Sequence, residues 1–357
     1  MEQLPIQIAK IIEGNGLSGI YQGFLQGNTG LCIFFYHLSR QTNNPEYEKL
    51  ADDLLDKVFA SLTTSASADF EDGLAGIGWG IEYLLQHGLA EGDSDEILEE
   101  VDNKVFKALN EKNHTSFELG NGLAGYLFYL INRLKDKPEP LSMAQRINKE
   151  LLILTINKID ELAIAQFPTL VKETQFDLFW RFPVMLYGLT EAFQLNIYNA
   201  KIGCMIRQWL PYFEAYLPSL HINRLFLAVI LNRICSLMPE SRLEKQCRIL
   251  LFATDFETLK TEVGHGLLNI RIGWPGAAWL LNRASEEIPA DWPNHHLISK
   301  TYQEVKAKHK NPLENLPPNI QEGNSLQSGL TLGLAGIGLM DLLWPGVLSG
   351  NGSPKTT

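Results

Sequence analysis

The chain has 357 residues, 45% hydrophobic and 20% charged, with a formal net charge of −11. That composition builds one large hydrophobic core or two ordinary ones without staples. Acidic residues spread along the chain exclude nucleic acid and anionic membrane as partners, since both need a concentrated basic face.

The N-terminus, MEQLPIQIAK, lacks the charged start and apolar stretch of a signal peptide. The longest apolar run, 225–231, is too short to span a bilayer, so no integral membrane segment is predicted and the protein reads as cytoplasmic. Cys32, Cys204, Cys235 and Cys247 show neither paired spacing nor nearby histidines, and all four read as small buried apolar residues.

In chain order, GNTGLCIFFYHL from Gly27 predicts an apolar helix opened by a Gly-x-x-Gly loop, and PEYEKLADDLLDKVFASL from Pro45 predicts an amphipathic one. The pair recurs as GLAGIGWGIEYLL from Gly73 with DEILEEVDNKVFKAL from Asp95, and as GLAGYLFYLINRL from Gly122 with LSMAQRINKELLILTINKIDELA from Leu141. A weaker copy, GLTEAFQL, starts at Gly188, and the apolar INRLFLAVILNRICSLM from Ile222 supplies a further unit. GWPGAAWLLNRA follows from Gly273, and GLAGIGLMDLLW from Gly333 repeats the six residues 73–78. The Pro-rich PLENLPPNIQEGN from Pro312 reads as a connector.

No stretch alternates in the strand period, so the fold class is all-α. Apolar helices must bury themselves against amphipathic ones, which gives a double layer. The varied repeat spacing argues for closure rather than an open solenoid: a closed α/α toroid with seven inner and seven outer helices. Residues 1–347 are expected to form one domain and 348–357 a disordered tail. Glycine at each loop would allow positive φ and close approach of helix starts around a crowded axis.

These repeated loops, the GLAG copies and the GWPG before a final GLAGI unit resemble the lanthionine synthetase C-like (LanC-like) family. The resemblance implies a toroid whose loops converge at one end. Its cyclases hold zinc there through the Cys of a Trp-Cys-Tyr-Gly-x-Pro-Gly motif and the Cys and His of a Cys-His-Gly motif. Three ligands leave an open position where a substrate cysteine loses its proton and adds to a dehydroamino acid. At the matching positions this chain has Arg271, Thr331 and Leu332, so zinc is expected for the family but no metal ligand and no cofactor is expected here.

The resemblance also implies an acid four positions before a repeat glycine. Asp69 and Glu118 both qualify, and either could instead cap its helix. With Arg271 they are the candidate catalytic residues. Asn121 and Tyr187 stand where the family's catalytic histidine would precede a glycine. They, with His265, Trp274 and Thr331, are the candidate cavity residues, although a histidine in a turn is more often structural and the tryptophans more often pack the core. His295 and His296, adjacent before an outer helix, read as surface.

Three functions follow from this reading. The first is a non-zinc LanC-like protein of lanthipeptide-type modification, binding a peptide substrate or leader, or scaffolding other peptide-modifying enzymes. The second is a thioether-forming cyclase by metal-free acid/base chemistry, with Asp69 or Glu118 and with Arg271 stabilising an enolate. The third is a glycan-processing toroid with Asp69 and Glu118 as its carboxylate pair.

Overall fold

The computed structural model describes residues 3–14, 22–62, 66–111, 114–263, 267–309, 313 and 328–348. His265, nearly all of the Pro-rich connector and residues 349–357 lie outside them. No strand occurs among the described residues. The chain divides into two compact units, residues 1–170 with 318–342, and residues 171–317 with 343–357.

The first unit holds α1 (Leu4–Gly14), α2 (Asn28–Thr42), α3 (Pro45–Ser61), α4 (Leu74–Gln86), α5 (Ser94–Ile97), α6 (Glu99–Glu111), α7 (Leu123–Leu134), α8 (Met143–Leu170) and nearly all of α16 (Leu334–Leu343). Burial separates two helix types. On α7 only Phe128 escapes full burial, whereas α6 buries only Val101, Val105, Ala108 and Leu109. A helix apolar all round belongs inside, and one with a single apolar stripe outside. Accordingly α2 packs on α4 and α4 on α7, while α3 covers α2, α6 covers α4 and α8 covers α7.

The inner helices begin in one repeated way. Gly27, Gly73 and Gly122 cap α2, α4 and α7 with extended, negative-φ backbone, so positive φ is not the reason for glycine at these caps. Close approach is. The second glycine of each motif sits on a carbonyl six residues earlier: a Cβ at Gly76 would stand 1.8 Å from Phe70 O, and one at Gly30 2.4 Å from Phe24 O.

One buried ionic network joins α4 to α8. Arg133 pairs with Glu82 at 2.8 Å and with Asp95 and Asp102 at 2.9 and 2.8 Å. Tyr129 and Asn148 also donate to Asp102. Lys137 adds a second cation to Glu82, so each of the three carboxylates faces a cation, which is what allows burial.

The second unit holds α9 (Arg181–Gln194), α10 (Asn199–Ala215), α11 (His221–Leu237), α12 (Ser241–Phe252), α13 (Phe256–Glu262), α14 (Trp274–Glu287) and α15 (His295–Lys308). Here α11 is central, packed between α9 and α14, with α12 over α11 and α15 over α14. The weak repeat at Gly188 is corrected: α9 starts at Arg181, capped by Trp180, and Gly188 lies within it. A glycine inside an apolar helix mimics a repeat start.

The cysteine expectation also needs revising. Cys32 and Cys247 are buried, Cys235 is half-buried and Cys204 is exposed, all four as free thiols.

Candidate functional site

In the first unit the loops before the inner helices are stitched edge to edge. Leu330 and Thr331 N–H donate to Leu25 O, Phe24 and Leu25 N–H donate to Glu71 O, and Phe70 and Glu71 N–H donate to Gly120 O. The last repeat thus joins the first, and the first leads to the second and third. Each loop is closed on itself as well: Leu74 N–H donates to Ser67 O, and Leu123 N–H to Ser116 O.

This stitching gathers Gln26, Asp69, Asp72, Glu118, Asn121 and Thr331 onto connected loops. Asp69 accepts from Ser67 Oγ at 2.6 Å. Asp72 carries its Oδ1 against Gly23, and Glu71 lies against Gly120. Partial burial, then the charge of Asp69, holds the Asp72 carboxyl above the usual carboxylate range. Burial, followed by the same Asp69 charge, pushes the Tyr126 hydroxyl up to about 12. Asn121 is exposed at the head of α7.

Thr331 is 3% exposed, and its hydroxyl accepts a short hydrogen bond from Gln26 Nε2. Its neighbour Leu332 is 38% exposed.

In the second unit the loop before α14 carries Arg271 and Trp274. Arg271 grips Asp177 with both edges, Nε to Oδ1 at 3.0 Å and Nη2 to Oδ2 at 3.0 Å, and its guanidinium lies 5.0 Å from the Phe179 ring centre. Leu178 N–H donates to Arg271 O, so main chain and side chain together clasp the two loops. Trp274 is buried and stacks on His309 at 4.4 Å, nearly parallel.

Tyr187 lies on no loop. It is mid-helix in α9 under the Arg233 guanidinium, which pairs with Glu191. Burial, then the Glu191 charge, raises its hydroxyl.

The Gln26–Thr331 bond and the Asp177–Arg271 clasp escaped sequence reading. Only Asp72 carried a signal, being part of the same DFEDG as Asp69.

A scan of known families matches residues 22–176 to "Lanthionine synthetase C-like protein". Among solved structures, nisin cyclase aligns with a TM-score of 0.67 and 12% identity, covering 96% of this chain and 93% of that one. No curated protein sequence matches. Residues 22–176 are thus similar to the LanC-like family. The chain's fold is the all-α, α/α-toroid fold shared with nisin cyclase, a likeness that extends well past residue 176. No described helix is long and apolar enough to cross a membrane.

The positions that the resemblance would give to zinc ligands can be tested for their donors. Arg271 is a cation already ion-paired with Asp177, Thr331 offers a buried hydroxyl bonded to Gln26, and Leu332 offers no donor. Zinc takes thiolate, imidazole or carboxylate, so this set does not fit it.

Proposed function

We propose that this LanC-like protein takes part in lanthipeptide-type modification as a peptide-binding or scaffolding partner that works without zinc. The observation that supports the reading is the Arg271–Asp177 ion pair, on the residue that the resemblance aligns with the first metal cysteine. A guanidinium there repels a metal cation and ties down the loop that would present the ligand. Peptide as ligand rests on the likeness to nisin cyclase, a cyclase by name. A cytoplasmic setting is part of the same proposal, and the four free thiols support it.

The test is calorimetry or pull-down of the full chain with peptides encoded by neighbouring reading frames. Saturable binding of at least one supports the proposal; binding of none overturns it. The metal-free cyclase reading keeps Asp69 and Glu118 as acid/base candidates. It asks Arg271 for a free positive edge at an enolate while Asp177 already holds the guanidinium in two places. Turnover in a thioether-forming assay that Arg271→Ala abolishes would favour it over scaffolding.

A further inference from the structure

Two of the four thiols meet across one helix hairpin of the second unit. Cys235 lies in the last turn of α11 and Cys247 in the middle of α12, and the short connection 238–240 turns the second helix back along the first. Cys235 is half-buried and Cys247 fully buried.

The contacts of each sulfur lead to the other. Cys247 Sγ lies 3.8 Å from Ala228 O, a helical carbonyl that points along α11 towards Asn232. Cys235 leans back over that same turn, as helical side chains do. From the other side, Cys235 Sγ lies 4.0 Å from Glu240 O, which accepts from Glu244 N–H one turn into α12. Cys247 in turn leans back over residues 243–244. Both paths end at one place between the helices, where the two thiols are within hydrogen-bonding reach of each other.

That contact gives the pair two roles. The hydrogen bond from Cys247, against burial and the charges of Glu244 and Glu240, lowers the Cys235 thiol below its ordinary range. The same contact, with burial, pushes the Cys247 thiol up. The more accessible sulfur is the one that ionises, and the buried one keeps its proton beside it.

We propose that Cys235 and Cys247 form an oxidisable dithiol that hydrogen peroxide closes to an intramolecular disulfide. The Cys235 thiolate attacks one peroxide oxygen and the O–O bond breaks; with one proton from solvent, Cys235 becomes a sulfenic acid and water leaves. The Cys247 sulfur then attacks the Cys235 sulfur, the S–O bond breaks, and the Cys247 proton leaves with the hydroxide as a second water. Two thiols and one peroxide thus give one disulfide and two waters, the sulfurs oxidised and the peroxide oxygens reduced. The link closes residues 235–247 and staples α12 to α11, the helix on which α9 and α14 pack. A dithiol reductant reverses it.

The experiment is peptide mapping of the full chain, reduced, freed of reductant, treated with hydrogen peroxide and alkylated. Trypsin cuts after Arg233, Arg242, Lys245 and Arg248 and so puts the two cysteines on separate peptides. The expected product is those two peptides joined by a disulfide, with a fall from four free thiols per chain to two that dithiothreitol restores. Cys204, exposed on α10, is the internal reference and should be consumed severalfold more slowly. Cys247→Ser should leave Cys235 as a sulfenic acid that dimedone traps, and Cys204→Ser should form the link as the wild type does.

Loss of Cys204 before any Cys235–Cys247 link appears overturns the proposal. So does a link that forms equally fast in urea, where the hairpin is open, or a Cys235 oxidation product that Cys247→Ser leaves unchanged. The wild-type map decides the matter even where a variant does not fold.

Discussion

The two units reach the same kind of inner-helix start by different means. In the first, glycine packs backbone on backbone: the second glycine of each motif rests on a carbonyl, and strand-like hydrogen bonds run from loop to loop. In the second only Gly273 and Gly276 keep that device, a Cβ at Gly276 standing 1.9 Å from Ile270 O. The starts of α9 and α11 carry Trp180 and Leu220 instead. Side chains hold them: Asn223 bonds Glu173 at 2.6 Å, Arg224 spans Pro218 O and Ala253 O, and Arg271 clasps Asp177. The family match, residues 22–176, takes in three of these glycine starts, at Gly27, Gly73 and Gly122. Backbone contact tolerates no side chain and leaves a fixed signature, whereas polar side-chain clasps can be built many ways.

The contrast breaks most sharply at Gly76. Gly76→Ala should destabilise by about 3 kcal/mol or more in denaturant unfolding, because the added carbon would overlap the Phe70 carbonyl. A loss under about 1 kcal/mol would mean that the loop yields and backbone packing is not what fixes it.

Asn223→Ala probes the other device. It should cost about 1–3 kcal/mol by leaving Glu173 and the Gln175 carbonyl short of a donor. Gly203→Ala is the internal control, since its nearest neighbour is the flexible end of Arg207 at 3.5 Å. There the substitution should stabilise α10 by about 0.5–1 kcal/mol, the ordinary helix preference for alanine.

The smallest effect is a pH dependence confined to the first unit. Burial, then the charges of His87 and Arg40, depresses His37 to about 4, so the folded state keeps it neutral while the unfolded chain titrates near 6.5. Its contribution is complete above the unfolded pKa and is lost as pH falls from about 6.5 towards 4. His37→Gln should flatten the decline in thermal stability across that window; an unchanged slope would mean that other groups produce it.

Much of this was legible in the sequence, for identifiable reasons. The glycine motifs and the helical period gave the helix class, the layer order and the inner helices α2, α4, α7, α14 and α16. The start of α9 was not legible, because Trp180 and Arg181 carry no loop signature and Gly188 mimics one. At the site, counting from the glycines puts Arg271, Thr331 and Leu332 where the resemblance would have zinc donors. What those residues do could not be. Asp177 lies 94 positions from Arg271, and Gln26 lies 305 from Thr331, distances over which no local pattern reports a contact. The glycine φ values show a further limit, since one residue type serves both left-handed turns and close packing.

The central proposal is that the ion-paired Arg271 leaves this loop without a metal-binding role. Its most direct test is elemental analysis of the purified full chain after equilibration with zinc and removal of excess. The account predicts far less than one zinc per chain, in both the wild type and Arg271→Ala. One tightly held zinc per wild-type chain would contradict it.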